Sequence, residues 1–171
     1  MDQKLEAAPP EDLEDHARRI LQRACEREAP IATAESCTGG LLGALLTDIE
    51  GCSHIFERGF IVYSDQAKCD LLGIERERVD NCGAVSEEVA IAMAEGALRR
   101  SEAAIALAIT GFAGPPGDDE EGEEGLVHFA CARADGDVAH REERFGAIGR
   151  EGVRNAALRV SLEMIDKALE D

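Results

Sequence analysis

The chain has 171 residues, and 36 acidic against 18 basic side chains give it a formal net charge of −18 at pH 7. This length suits one domain with a buried core, and a hydrophobic content of 44% argues against a disordered chain. The charge disfavours nucleic acids and anionic membrane surfaces as partners, because both are bound through cationic side chains. No apolar run approaches the ~20 residues of a membrane span, and the acidic first residues do not resemble a signal peptide. We therefore expect a cytoplasmic protein.

The first half of the chain predicts alternating helices and strands after a loose acidic arm over residues 1–10. Pro30 ends the first helix, Ser64 caps the third, and Gly73 stops it. The predicted elements are an amphipathic helix from Glu11 to about Arg27, a strand over residues 31–34, an apolar helix from Leu41 to near Gly51, a strand over residues 59–63 and a helix over residues 65–72.

The second half predicts one more helix, a buried strand, a hairpin and a last helix. Asp135-Gly136 is the strongest hairpin signal in the chain, and Ser86 is a helix cap with acidic residues in the turn that follows it. The predicted elements are a helix from Ser86 to about Arg100, a strand over residues 105–110, the hairpin strands 126–133 and 138–145, and a helix from about Gly149 to Leu169.

Strands separated by helices, with a hairpin near the end, indicate an α/β fold in the form of a three-layer α/β/α sandwich. We expect a mixed, mostly parallel sheet with one late antiparallel hairpin, and a single domain over residues 11–171. Ligands of such sheets bind at the carboxyl ends of the strands. Three turns qualify as candidate sites: residues 35–40, 63–68 and 110–117.

The first of these turns places Ser36 at a strand-to-helix junction, near the positive end of a helix and its unpaired N–H groups. The Thr38-Gly39-Gly40 run that follows leaves room for a ligand oxyanion to approach those donors. A plain helix cap, formed by Ser36 or Thr38, explains the same pattern.

The second turn offers a phenol at Tyr63 and one of only three lysines at Lys68. Tyr63 ends a predicted strand and Lys68 lies about one helical turn after the Ser64 cap, so both side chains could face one cleft. A desolvated lysine has a lowered pKa and can act as a base toward a serine. The alternative is a solvated lysine paired with Asp65 or Asp70.

The third turn is a Gly/Pro loop whose main-chain N–H groups could surround an anion, with a hydroxyl from Thr110. A plain surface turn explains its glycines equally well. The acidic run at residues 118–124 that follows lacks the ordered spacing of a calcium loop, and we expect a solvated loop there. Six cysteines without paired spacing and four scattered histidines predict free, partly buried thiols and no metal site.

Four blocks in this order resemble the CinA C-terminal domain family, which includes PncC-type nicotinamide-nucleotide amidohydrolases. The blocks are AESCTGG (residues 34–40), YSDQAK (63–68), GAVSEE (83–88) and TGFAGP (110–115). The resemblance covers the chain from about Ile31 onward. It implies hydrolysis of the carboxamide of nicotinamide mononucleotide, without a metal or cofactor, in a homo-oligomeric protein whose partner is a small nucleotide.

The resemblance also implies roles for particular residues. Ser36 is expected to be the nucleophile, with Lys68 as its base, directly or through Tyr63. The backbone N–H groups of Thr38, Gly39 and Gly40 are the expected oxyanion donors. Binding of the substrate and its phosphate is expected from six residues, namely Thr110, Gly111, Ala113, Gly114, Arg150 and Arg154. The two arginines lie four apart on the last helix, and pairing with Glu143 or Glu151 is an equal alternative for them.

Two segments depart from the family pattern, and two other functions stay open. The acidic residues 118–124 replace a stretch that usually carries a Lys-Pro pair, which predicts weaker phosphate binding. The segment FGAIGR (residues 145–150) has one residue more than usual and lacks an aspartate.

One alternative is therefore a nucleotide-binding or partner-binding module without turnover. Another is a thiol enzyme that uses Cys37, since a helix start stabilises a thiolate.

Overall fold

The computed structural model describes residues 10–170, which form six α-helices, five strands and a short 3₁₀ turn at Ser53–Ile55. The predicted arm lies outside these residues, except for Pro10, which precedes the first helix. The helices are α1 (Glu11–Glu26), α2 (Leu41–Thr47), α3 (Asp65–Leu72), α4 (Arg76–Cys82), α5 (Glu87–Arg99) and α6 (Gly149–Ala168). The strands are β1 (Ile31–Glu35), β2 (Phe56–Ile61), β3 (Ile105–Gly111), β4 (Leu126–Arg133) and β5 (Val138–Arg144).

The strands form one mixed sheet in the order β2-β1-β3-β4-β5. Strands β2, β1 and β3 are parallel, while β4 is antiparallel to both of its neighbours. Only β4 therefore runs against the other strands, as the sequence predicts. The chain moves outward from β1 to β2 and returns past β1 to β3, so a topological switch point lies beside the end of β1, where open α/β sheets bind ligands.

Side chains that alternate along each strand separate two apolar cores, one on each face of the sheet. Large residues such as Ile105, Leu107 and Phe129 pack with α1, α2 and α6 on one face. On the other face, alanines such as Ala106, Ala108 and Ala130 pack with α3, α4 and α5. The small alanine side chains let α5 lie close to the sheet. The molecule is thus the three-layer α/β/α sandwich that the element order indicates.

Three elements differ from the sequence prediction. Helix α2 ends at Thr47 rather than near Gly51, and the Thr47 hydroxyl donates to the carbonyls of Gly43 and Ala44 within its last turn. Strand β2 begins at Phe56 and ends at Ile61, so it lies earlier than predicted. Helix α4 was not predicted, because Val79 is its one buried residue and gives no periodic signal.

The sequence signals for both ends of α3 and for the start of α5, by contrast, are confirmed. Ser64 Oγ accepts a 3.0 Å hydrogen bond from the Ala67 N–H at the start of α3, and Gly73 ends that helix with φ of 68°. Ser86 caps α5 in the same way. Among the described residues, none of the helices combines the length and the apolar character that a bilayer crossing requires.

Candidate active site

A cavity of about 170 Å³ opens at the carboxyl ends of β1, β2 and β3. All three turns singled out in the sequence contribute to its wall. The residues that line it are Ser36, Cys37, Tyr63, Asp65, Lys68, Ala84, Val85, Thr110, Gly111, Phe112, Ala113, Gly114, Pro115, Glu120 and Arg150. The structure therefore brings together Ser36, Tyr63 and Lys68 with four of the predicted loop residues and Arg150.

The turn that carries Ser36 is held by the buried carboxylate of Glu35. Glu35 Oε1 accepts hydrogen bonds from Thr38 Oγ1 (2.7 Å) and from the Leu42 N–H (2.9 Å), and Oε2 accepts one from the Gly43 N–H (3.0 Å). The carboxylate thus satisfies N–H groups in the first turn of α2, where a negative charge is favoured. The interpretation of Ser36 or Thr38 as the helix cap is wrong, because Gly40 occupies that position and the hydroxyls have other partners.

Lys68 reaches from α3 to Ser36 across the top of the sheet. Its Nζ atom donates hydrogen bonds to Ser36 Oγ (3.1 Å) and to the Val62 carbonyl (3.0 Å). The side chain is 1% exposed, and this burial lowers the pKa of Lys68 below its usual value of 10.5. Asp70, which a solvated lysine could have paired with, accepts instead from Gln66. A buried amine with a lowered pKa therefore lies next to the hydroxyl it could deprotonate.

Tyr63 stands at the mouth of the cavity rather than inside it. Strand β2 ends at Ile61, so Tyr63 lies two residues beyond the strand, and its side chain is 64% exposed. The two hydrogen bonds of Lys68 Nζ go to Ser36 and Val62. The position of Tyr63 therefore suits contact with a ligand at the entrance more than a proton relay between Lys68 and Ser36.

The loop after β3 and the start of α6 form the opposite wall. Thr110 is buried, and its hydroxyl donates to the Ala84 carbonyl at 2.7 Å, which ties β3 to the loop before α5. A Cβ atom on Gly114 would lie 2.8 Å from Nη2 of Arg150. Because Gly114 has no side chain, the Arg150 guanidinium has room to lie beside it in the cavity wall.

Four predicted site residues lie outside this wall. Within the described residues, the wall contains Ser36 and Cys37 but not the three residues that follow, Thr38, Gly39 and Gly40. The Gly39 N–H donates to the Ser36 carbonyl inside the turn (3.1 Å). Arg154 is also absent from the wall, and its Nε donates to the Cys37 carbonyl at 2.9 Å. The alternative in which Arg154 pairs with Glu143 is not seen, since Glu143 accepts from Arg141 instead.

Sequence reasoning missed two acidic residues of the wall, Asp65 and Glu120. Asp65 is the first residue of α3 and was considered only as an ion-pair partner. Glu120 belongs to the acidic run that we expected to be solvated, and no local pattern indicates that one of its side chains reaches the site. Across residues 10–170, no three His, Cys, Asp or Glu side chains are arranged so that they could hold a metal ion.

Cys37 is a poor thiolate in this structure. All six cysteines are free, but Cys37 is buried, and burial raises the pKa of its thiol to about 12. A thiol with so high a pKa is almost fully protonated at neutral pH and is therefore weakly nucleophilic. The alternative that makes Cys37 the nucleophile finds no support in this geometry.

Comparison with known proteins places the fold and the site motifs in one family. A family model of the CinA C-terminal domain matches residues 13–169. Nicotinamide-nucleotide amidohydrolase PncC of Escherichia coli (strain K12) is 42% identical over 154 residues, which are 90% of this chain and 93% of that protein. A CinA-like protein of Syntrophobacter fumaroxidans is 45% identical over 152 residues, but this chain spans only 35% of its length.

A solved structure gives the same result in three dimensions. The crystal structure of the competence/damage inducible protein CihA from Agrobacterium tumefaciens superposes with a TM-score of 0.91 at 46% identity. The alignment covers 96% of this chain and 99% of that one. Sequence, fold and the order of the site motifs therefore agree, and the chain belongs to the CinA C-terminal domain family.

Proposed function

We propose that this protein hydrolyses the carboxamide of nicotinamide mononucleotide to nicotinate mononucleotide and ammonia, with Ser36 as the nucleophile. The observation that carries the proposal is the 3.1 Å contact between Lys68 Nζ and Ser36 Oγ in the wall of the cavity. The 42% identity to the PncC amidohydrolase over most of both chains supports the choice of substrate. The reaction is a linear amide hydrolysis.

Lys68 acts as the base in this proposal. The neutral amine accepts the Ser36 proton as Oγ attacks the amide carbon, and it returns that proton to the departing nitrogen, which leaves as ammonia. Water then attacks the acyl carbon while Lys68 takes one of its protons. The bond from that carbon to Ser36 Oγ breaks, nicotinate mononucleotide leaves, and Lys68 returns the proton to Oγ. The Val62 carbonyl fixes the amine in place throughout, because its hydrogen bond does not depend on the serine.

The tetrahedral oxyanion needs N–H donors near Ser36. The Thr38, Gly39 and Gly40 amides remain our proposed donors, although Gly39 already donates to the Ser36 carbonyl. The carbonyl of Cys37 is held by Arg154, which supports a fixed orientation for the peptide units of this turn. Arg154 is therefore proposed as a positioning residue rather than a ligand of the substrate.

Arg150 is the proposed partner of the substrate phosphate, together with the loop residues Thr110, Gly111, Ala113 and Gly114. A guanidinium matches the geometry of a phosphate and forms charge-assisted hydrogen bonds with it. The position of Arg150 against Gly114 supports this role, because it brings a guanidinium of the cavity wall next to the loop. Tyr63 is proposed to cover the bound ligand at the entrance.

Ammonia release from nicotinamide mononucleotide, measured with EDTA present, tests the proposal. We expect release by the wild type and at least a hundredfold less by Ser36→Ala, since loss of the nucleophile removes the covalent route. Unchanged release by Ser36→Ala would contradict the assigned nucleophile, and loss of release with EDTA would contradict the metal-independent route. Ligand-induced thermal stabilisation without ammonia release would favour a binding module instead.

We also propose that the protein is a cytoplasmic homo-oligomer whose partner is a small nucleotide and not a nucleic acid. The six free thiols suit a reducing compartment, and the net charge of −18 disfavours polyanions. The exposed apolar side chains of Ile61 and Ile148 suit contact between copies. Light scattering on the purified protein measures the mass in solution, and a monomer would contradict this part.

A further inference from the structure

The cavity wall carries more negative charge than a phosphate site needs. Asp65 and Glu120 each contribute a carboxylate, and Arg150 contributes one guanidinium. Lys68 lies at the serine end of the wall, where its Nζ is already bound to Ser36 Oγ and the Val62 carbonyl. Two carboxylates in the wall disfavour a purely anionic ligand, so a ligand that also carries a positive charge suits this cavity better.

Glu120 is held in the wall by its own loop. Its Oε2 atom accepts a 2.8 Å hydrogen bond from the Gly117 N–H, and its own N–H donates to the Gly117 carbonyl at 3.0 Å. Arg150 lies against Gly114 in the same loop. A negative and a positive side chain therefore contact two positions of this loop that are three residues apart, Gly117 and Gly114, and both side chains line the cavity.

Asp65 is less suited to contact a ligand charge. It lies three residues before Lys68 at the start of α3, and its field acts on the Lys68 amine, whose protonated form it favours. The other acidic residues of the run are not part of the described wall, and Glu123 pairs with Arg144 instead. Glu120 is thus the carboxylate with both a fixed position and an open face toward the cavity.

Nicotinamide mononucleotide carries two opposite charges. Its pyridine ring is a pyridinium cation, because the ring nitrogen is bonded to ribose, and its phosphate is an anion. We infer that Glu120 binds the pyridinium ring while Arg150 binds the phosphate, so that Glu120 selects a cationic ring over a neutral one; this inference rests on the proposed function. The acidic residue that replaces part of the usual family pattern is then a specificity determinant rather than a defect of the phosphate site.

Two ligands that differ in ring charge, through one hydride at C4, test this role. Nicotinamide mononucleotide has the cationic ring, and its 1,4-dihydro form has the same carboxamide, ribose and phosphate on a neutral ring. Calorimetric titration of both into Ser36→Ala, Ser36→Ala/Glu120→Gln and Ser36→Ala/Glu121→Gln gives dissociation constants without turnover. Glutamine keeps an acceptor for the Gly117 N–H, and Glu121→Gln is a matched control for the loss of one charge from the same run.

We expect Glu120→Gln to weaken binding of the cationic ligand about threefold to fivefold at low ionic strength, and to leave the dihydro ligand unchanged. Glu121→Gln should leave both unchanged, and added salt should reduce the preference for the cationic ring. Equal weakening of both ligands, or none, would overturn the role of Glu120. Ammonia release by the wild type is measured separately, so the proposed function stands or falls on that assay and not on this one.

Discussion

Glu35 and Thr38 hold each other in the turn that presents the nucleophile, through a 2.7 Å hydrogen bond from Thr38 Oγ1 to Glu35 Oε1. The same carboxylate accepts from two N–H groups of α2, so one buried side chain connects the end of β1 to the start of the helix. Ser36 lies between the two ends of this connection. Its position therefore depends on a residue that does not line the cavity.

Replacing Glu35 with glutamine should weaken this connection without changing the side chain's size. The NH₂ group of the glutamine would face a donor from which the carboxylate now accepts, so that hydrogen bond would be lost. The negative charge at the start of α2 would be lost as well. We expect the free energy of unfolding to fall by about 2 kcal/mol, and kcat to fall with little change in KM. Urea titration and ammonia kinetics measure the two effects. Thr38→Val removes one bond of the three and should show a smaller loss, so an effect as large as that of Glu35→Gln would argue against the carboxylate's role.

The fold could be predicted where local chemistry decides structure. Ser64 and Gly73 determine both ends of α3 through a cap and a left-handed glycine, and the hairpin follows from Asp135-Gly136. The start of β2 could not be found in this way. Glu57 and Arg58 look unlike a strand, yet Arg58 pairs with Ala32 of β1, and Glu57 lies at the register shift between Phe56 and Arg58. This strand is at the edge of the sheet, where polar side chains can remain in solvent.

The same distinction between local and long-range contacts applies to the candidate site. The scarcity of Lys68 and its position one turn after a helix cap left a solvated lysine as an alternative, and the family resemblance was what implied a place beside Ser36. The positions of Arg154 and Glu120 depend on how α6 and the acidic run fold back on the turns, and no local pattern encodes these contacts. The carboxylate of Glu35 stands directly before the predicted nucleophile, but its contacts with α2 became visible only in the structure, because Ser36 and Thr38 were available as caps in the sequence.

Lys68→Met should abolish hydrolysis while leaving the protein folded. Methionine has a similar length and needs no desolvation of charge, but it cannot accept the Ser36 proton. We expect kcat to fall about a hundredfold or more, as is typical for loss of a general base. Single-turnover kinetics with nicotinamide mononucleotide measure the chemical step, and a variant that keeps more than a tenth of the wild-type rate would contradict the base role.

The stability of the same variant should depend on pH in a defined direction. Because burial lowers the pKa of Lys68, the unfolded chain binds more protons than the native one between the native and the unfolded pKa, so stability of the wild type rises with pH there. Lys68→Met lacks this contribution. We therefore expect the free energy of unfolding of the variant, relative to that of the wild type, to decrease as pH rises toward the ordinary lysine pKa of 10.5. A constant difference in urea titrations would indicate an unperturbed lysine.

Tyr63→Phe should have a much smaller effect than Lys68→Met. The phenol is mostly exposed, and Lys68 contacts Ser36 directly, so the proton has a route that avoids Tyr63. We expect kcat within about threefold of the wild type, whereas Tyr63→Ala should raise KM by removing the ring from the entrance. If the phenol relays the proton, Tyr63→Phe will lose as much activity as Lys68→Met.

Gly114→Ala should act through Arg150. The added Cβ would lie 2.8 Å from Arg150 Nη2, and the guanidinium, at the end of a flexible side chain, would move away while the fold persists. We expect KM to rise about tenfold with kcat nearly unchanged. This change corresponds to a loss of about 1.4 kcal/mol of binding free energy from one charged partner of the phosphate. In an Arg150→Met background the glycine change should add nothing further. Additive effects in this double-mutant cycle would place the two residues in separate roles.

Alkylation separates the serine route from the thiol route. Burial raises the pKa of Cys37 to about 12, while Cys82 is exposed at the end of α4. Iodoacetamide at neutral pH should therefore label Cys82 well before Cys37, without loss of ammonia release. Peptide mass mapping identifies the labelled thiol, and Cys82→Ser should remove the early label. Cys37→Ala should keep most of the activity because the thiol only fills space beside Ser36, and rapid inactivation that follows labelling of Cys37 would reverse the assignment of the nucleophile.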